Sequence, residues 1–343
     1  MWILVRLVRM RAARLHEPRG AVTIGEIAEP SPGEGEILVR VEACGLCHSD
    51  LFIQSLQSLP RAPVTLGHEA IGVVEQLGPG VADIARGDRV GITYLYRGCG
   101  QCGECGAGRP ELCARQVHTG YDVDGAFGEL AVAHAAHVAR VPEGIDAVTA
   151  APLCCAGWTA YRAVKNTGLR AGEWLAVFGV GGLGHLGIQF ARLAGLRVAA
   201  VDVSPEKLAL AEQLGADLTI NAANEDPSRV LRKQIGGVNG AVSFVAAATV
   251  IRQAFGGLRR GAALVLVGLA VEQFELPLVD TIIKSIRVQG SFLGRQQDLA
   301  EVFELARAGK IRIETESRTL DELPAAFEDL RAGRLTGRAV VRF

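Results

Sequence analysis

"VFGVGGLGHLG", residues 177–187, sets Gly179, Gly181 and Gly184 in G-x-G-x-x-G register, directly behind the apolar run "EWLAVFGV" and at the head of the helical stretch "LGHLGIQFARLAG". Strand, glycine turn and helix in that order open a βαβ unit. The helix start offers backbone amides and the positive end of a dipole to a pyrophosphate. The first two glycines permit the tight turn and a close backbone approach, and Gly184 lets helix and strand pack closely. Gly182, between them, counts with the cofactor-binding residues. Asp202 ends the next strand, "RVAAVDV", 18 residues past Gly184. Its carboxylate suits the adenosine ribose hydroxyls and repels a 2′-phosphate, and no arginine follows closely to rescue that phosphate. The expected cofactor is NAD rather than NADP, with Lys207 a further cofactor-binding residue. A glycine-rich turn without a cofactor would not need strand, helix and acid all in register.

Working outward, "ADLTI", "GAVSFVAAA" and "AALVLVGLA" are further apolar strands, separated by helical stretches such as "SPEKLALAEQLGA". This alternation predicts an α/β fold, a doubly wound parallel sheet covered by helices on both faces. Before Pro142 the pattern differs. "ILVRVEA", "AIGVVEQLG", "DRVGITYL", "GELAVAH" and "HVARVP" are short β-branched runs punctuated by Gly and Pro, the mark of a mainly β domain. The last segment, "DLAEVFELARAGK" through "GRAVVRF", reads as helix, helix and strand folding back on that first domain. A chain of 343 residues accommodates about two such domains.

Within the β region, "GCGQCGECGAGRPELC" holds half of the 8 cysteines. Cys99, Cys102 and Cys105 stand at intervals of three and Cys113 follows eight residues later. One loop with Gly100, Gly103, Gly106 and Gly108 can fold four thiolates around a single ion, and tetrahedral zinc fits best. Disulfides are the plainer alternative, but neighbours three apart seldom reach bridging geometry. An iron–sulfur cluster matches the first three cysteines, although the fourth comes too late and lacks a following proline. Four thiolates leave no open coordination position, so this site is structural.

Lys+Arg 36 against Asp+Glu 37 gives a formal charge of -1 without basic bands, which argues against nucleic acid as a partner. Mean hydropathy is +0.24, yet no apolar run reaches the roughly 18 residues of a membrane span. The opening "MWILVRLVRM" has an apolar block too short for a secretory signal, so a cytoplasmic location is expected. Met10 opens an ordinary first strand and residues 1 to 9 form an extension, a short lipid anchor being the alternative.

Together with "CGLCHSD", "GHEAIGVVE" and "CCAGWTAYRA", these two motifs resemble the zinc-dependent medium-chain alcohol dehydrogenases of the yeast and bacterial type over residues 10 to 343. The resemblance implies a GroES-like mainly β catalytic domain (1–155 and 298–343) and a Rossmann coenzyme domain (156–297), with the active site in the cleft between them. It further implies a catalytic zinc on Cys47, His68 and Cys155, with Glu69 able to approach the metal. Cys154 competes with Cys155 for that role, and Cys155 is preferred because the family pattern reads Cys-Ala-Gly. Cys44 and Cys154 are then left as small buried hydrophobes. Asp50 would orient His68, Ser49 would begin a proton relay, Thr159 would pack on the nicotinamide, and His48 and Arg338 would approach the pyrophosphate.

Tyr94 stands where such enzymes usually carry Trp in the substrate pocket. Phe52 stands where many relatives have the histidine that ends the relay. The implied reaction moves hydride between the carbinol carbon of a primary or secondary alcohol and the nicotinamide, interconverting alcohols with aldehydes or ketones. Two zinc ions per chain and a homodimer or homotetramer go with it. A sugar or polyol dehydrogenase of the same superfamily, and a non-catalytic zinc- and nucleotide-binding regulator, are the alternatives. The remaining histidines, His16, His118, His134, His137 and His185, have no assigned site.

Overall fold

The computed structural model describes residues 8–343, so most of the N-terminal extension, anchor alternative included, lies outside the described residues. The first strand is Arg9–Leu15, one residue earlier than the pattern indicates. Two compact units are present. One comprises the chain up to Cys155 with Arg295–Lys310 and Glu314–Phe343, and the other Ala156–Gly294 with Ile311–Ile313.

In the second unit, six parallel strands line up as Leu218–Asn221, Arg197–Asp202, Trp174–Phe178, Val238–Ser243, Leu258–Leu266 and Arg287–Gly290. Numbered along the chain this is the order 3-2-1-4-5-6 of a Rossmann sheet, whose switch point lies beside the first strand. Local chemistry sets the helix ends. Ser204 caps Pro205–Gln213, its Oγ accepting from the Lys207 N–H at 3.3 Å. Asp226 caps Pro227–Ile235, which stops at the left-handed Gly236. The core on one face of the sheet gathers Phe178, Val201, Ile220 and Leu264, with Phe255 of helix Ala248–Gly256 in the same cluster.

The first unit is mainly β. A seven-stranded sheet runs through Ala139–Arg140, Arg89–Ile92, Glu69–Leu77, Glu36–Gly45, Arg338–Arg342 and Thr315–Arg318, with Leu130–His134 also paired to Glu36–Gly45. A three-stranded sheet adds Val22–Ala28, Arg9–Leu15 and Val64–Thr65. The C-terminal strand pairs antiparallel with Glu36–Gly45, Val340 opposite Gly45. Two details depart from the pattern. "HVARVP" yields only the two-residue strand Ala139–Arg140 because Ala135–His137 turns as a 3-10 helix, and Thr315–Arg318, "TESR", is a strand with no apolar alternation to announce it. The loop 98–116 is the insert of a short hairpin, Leu95–Arg97 against Val117–His118.

Candidate active site

A helix start, the turn into strand Glu69–Leu77 and the end of the 3-10 helix Ala151–Cys154 build the first donor set. Cys47 precedes helix His48–Ser55, and the carboxylate of Asp50, in its first turn, accepts from the Cys47 N–H at 2.9 Å. The other oxygen of Asp50 accepts from the Gly67 N–H at 3.1 Å and lies 3.4 Å from His68 Nδ1. One fully buried carboxylate thus fixes a cysteine's backbone and faces the imidazole. Gly67 is required at this turn: its φ is +93°, and a Cβ there would lie 2.8 Å from the Phe127 ring and 2.9 Å from Cys44 Sγ. Glu69 opens the next strand opposite Gly45, and Arg338 opens the C-terminal one.

Sγ of Cys47 and Cys155, a ring nitrogen of His68 and a carboxylate oxygen of Glu69 all lie within 4.8 Å of one another, and all four residues are buried. Cys154 Sγ points elsewhere, 3.7 Å from the Ala70 carbonyl, and Cys44 Sγ sits 3.8 Å from that of Gly45. His68 Nε2 and Glu69 Oε2 are buried with no hydrogen-bond partner. Such a buried orphan costs about 1–3 kcal/mol, and a metal ion relieves it. The Cys47 thiol is held well below its ordinary value, chiefly by a hydrogen bond from Cys155 and then, against the cost of burial, by the Arg338 charge. Two cysteine sulfurs and an imidazole nitrogen are donors that zinc accepts. Arg338 is itself buried, donating to Glu69 Oε1 at 2.7 Å and to Cys47 Sγ at 3.5 Å. Burial raises Glu69 to about 8, with Arg338 opposing.

Around this set, Ser49 Oγ lies 3.6 Å from Cys47 Sγ, His48 is exposed, and Phe52 is half-buried on the same helix. Tyr94 meets His68 edge to face, with centroids 4.9 Å apart. The structure therefore brings Cys47, Ser49, Asp50, His68, Glu69, Tyr94, Cys155 and Arg338 together.

The four cysteines of the hairpin insert form the second set, their Sγ atoms also within 4.8 Å of one another, and all eight cysteines are free thiols. N–H groups point at sulfur: Cys99 N to Cys113 Sγ at 3.4 Å, Cys105 N to Cys102 Sγ at 3.5 Å, and Arg115 Nη2 to Cys99 Sγ at 3.2 Å. A backbone hydrogen bond from Gln101 foremost brings the Cys99 thiol down to about 6. Donors thus converge on three of the four sulfurs, as a closed zinc site needs, while desolvation pushes the Cys105 thiol up to about 11. Arg115 has no motif of its own, and sequence reasoning missed it.

The dinucleotide turn lies in the other unit. Gly179 has φ +89°, and a Cβ on Gly184 would lie 1.8 Å from the Gly179 carbonyl oxygen, whereas one on Gly181 would meet nothing within 4 Å. Open space at Gly181 is what the close approach of a phosphate requires. Asp202 reaches the same turn: Oδ2 accepts from the Val180 N–H at 2.7 Å, and Oδ1 from Val203 and Ser204 at 2.8 and 3.1 Å. Gly182 sits in the turn, Lys207 in the next helix and Thr159 in helix Ala156–Asn166, where it is buried. His185, fully buried, contacts the Gly181 carbonyl through Nδ1 at 3.0 Å.

A Rossmann sheet with an open glycine turn, and a β unit with two four-residue donor sets fit for zinc, define a zinc- and dinucleotide-dependent oxidoreductase. Residues 33–143 match the alcohol dehydrogenase GroES-like domain and residues 182–308 the zinc-binding dehydrogenase domain. An alcohol dehydrogenase of Geobacillus stearothermophilus is 42% identical over 335 residues, 97% of this chain and 99% of that one. The crystal structure of the alcohol dehydrogenase from Aeropyrum pernix superposes with a TM-score of 0.90 at 35% identity, covering 97% of this chain and 100% of that one. The acetophenone reductase of Geotrichum candidum, in complex with NAD, does so with 0.88 at 27%, covering 98% of each. The chain belongs to the zinc-dependent medium-chain alcohol dehydrogenase family, and its cofactors are zinc and NAD. No helix among the described residues is long and apolar enough to cross a membrane.

Proposed function

We propose that Cys47, His68 and Cys155 hold the catalytic zinc, that Glu69 approaches it, and that secondary and aromatic alcohols, with their ketones and aldehydes, are the preferred substrates. The observation that carries this is the buried His68 ring, neither nitrogen hydrogen-bonded, with one of them within 4.8 Å of two cysteine sulfurs and Nδ1 3.4 Å from Asp50. Zinc bound there supplies Lewis acidity, which lowers the pKa of a substrate hydroxyl. Ser49, beside Cys47, accepts the hydroxyl proton and passes it toward His48 and solvent. Asp50 holds the ligand geometry, and Arg338 balances the negative charge of Glu69 and Cys47 as well as serving the pyrophosphate. Gly179, Gly181, Gly182 and Gly184 carry that pyrophosphate, Asp202 and Lys207 the adenosine ribose, and Thr159 the nicotinamide face. Tyr94 and Phe52 line the pocket, and the aromatic ketone named for the Geotrichum relative supports an aromatic preference.

The two compact units serve as catalytic and coenzyme domains. Free thiols throughout support a reducing, cytoplasmic location. Leu278, Val279, Ile282 and Ile283 are exposed on helix Leu278–Lys284, next to the sheet-edge strand Arg287–Gly290, and a second copy of the chain covers them in a homodimer or homotetramer. Metal analysis should return two zinc ions per chain, and NADH should form faster from 1-phenylethanol than from ethanol. A single zinc, or no NADH from any alcohol, refutes the reading.

A further inference from the structure

His118 has no part in either donor set, yet its ring is tied at both edges. Nδ1 meets Asp122 Oδ2 at 2.7 Å and Nε2 meets Gln116 Oε1 at 2.9 Å. The Gln116 amide has one usable orientation, because its Nε2 donates to the Glu111 carbonyl and, at 3.4 Å, to that of Pro110, which turns Oε1 toward His118. The ring so held lies nearly parallel to Tyr94, with centroids 4.8 Å apart and planes at 28°. Tyr94 in turn stands edge-on to His68 at 4.9 Å and 69°. The hairpin keeps the pair in register, Leu95 opposite His118 and the Tyr94 carbonyl accepting from the Thr119 N–H at 2.9 Å. Tyr94 is thus confined between a fixed ring and a metal-ligand ring.

We propose that His118 is a positioning residue for substrate choice: braced by Asp122 and Gln116, it fixes the Tyr94 ring against His68 and so sets the width of the alcohol pocket. This rests on Tyr94 lining that pocket. Removing the imidazole vacates space against the face of Tyr94 on which it stacks. The phenol ring relaxes into that space, the pocket widens, and bulky alcohols gain while small ones lose contact.

The test is steady-state oxidation of ethanol and 1-phenylethanol by the zinc-loaded enzyme with saturating NAD, comparing the parent with His118→Ala, His118→Phe and Tyr94→Ala. Melting curves and zinc content check that each variant folds. In His118→Ala, the kcat/KM ratio of 1-phenylethanol to ethanol should rise about tenfold, the scale set by filling or emptying a small apolar space. The change should fall on KM, with kcat moving less than about threefold. His118→Phe restores a flat ring beneath Tyr94 and should bring the ratio back toward the parent. Adding His118→Ala to Tyr94→Ala should change the ratio no further. If Tyr94→Ala moves the ratio and His118→Ala does not, or if His118→Ala lowers kcat equally for both alcohols, the positioning role is overturned. If neither variant moves the ratio, Tyr94 is not a pocket residue and the underlying reading fails with it. Should His118→Ala not fold, Asp122→Asn and Gln116→Leu loosen the ring without removing it. They should shift the ratio in the same direction by a smaller factor, and an unchanged ratio in both overturns the proposal.

Discussion

Asp202 carries two duties that substitution can separate. In the structure it accepts three backbone N–H bonds, one from buried Val180 in the glycine turn. On the proposed reading its charge would also strengthen a contact with the cofactor ribose and repel a 2′-phosphate. Asp202→Asn removes the charge and keeps one acceptor oxygen, which can serve Val180 while the amide nitrogen turns toward the Val203 and Ser204 N–H groups. A charge-assisted bond replaced by a neutral one loses about 1.4 kcal/mol, roughly tenfold in kcat/KM for NAD. Lifting the repulsion from a half-buried position returns roughly 2 kcal/mol to NADP after screening, about thirtyfold. The NAD/NADP preference should therefore fall about 300-fold, with a smaller loss of stability than in Asp202→Gly because the exposed Val203 N–H can turn to water. Asp202→Gly removes the acceptor as well. It should shift the preference similarly but cost about 1–3 kcal/mol of stability, because the Val180 N–H is left buried and unpaired. Kinetics with both cofactors and denaturant unfolding of the three proteins provide the assay. Equal use of NAD and NADP by the parent, or an Asn variant with an unchanged ratio, would refute the placement of this carboxylate on the ribose.

Cys47→Ser should abolish turnover while leaving the fold, whereas Cys102→Ser should release one zinc and lower the melting temperature by roughly 5 °C or more, both read by metal analysis and calorimetry. Tyr94→Trp narrows the pocket and should move preference back toward ethanol, seen as a lower kcat/KM for secondary alcohols. Gly67→Ala forces a Cβ onto the Phe127 ring at positive φ and should destabilise by about 3 kcal/mol in urea unfolding. Because Phe52 cannot accept a proton, alcohol oxidation should climb with pH as hydroxide takes over proton release. Phe52→His should raise the rate near neutrality and flatten that climb, and His48→Gln should steepen it. These profiles are measured where a deuterated alcohol confirms that hydride transfer limits the rate, and a parent profile flat between about pH 6 and 9 speaks against the truncated relay.

What the sequence by itself determined was local. The parallel, helix-covered sheet follows from apolar strands and helical stretches in alternation, and the glycine turn and Asp202 are read within a single βαβ unit. The four-cysteine site is equally legible, because its donors occupy one glycine-spaced loop and need no distant partner. The open donor set was legible only through resemblance, since Cys47, His68 and Cys155 carry no local signal that they meet. Tertiary structure alone decided the rest. Arg338 pairs with Glu69 across 269 positions because the C-terminal strand joins the sheet beside Glu36–Gly45. "TESR" becomes a strand only because the C-terminal strand offers it an edge. Cys155 rather than Cys154 joins the buried donor cluster, because the Cys154 sulfur turns toward the Ala70 carbonyl. His118 braces Tyr94 because a hairpin folds the ends of the cysteine loop together. Periodicity and turn chemistry act over a few residues and can be read from the chain, whereas a contact made by sheet register between distant strands depends on how the whole unit packs.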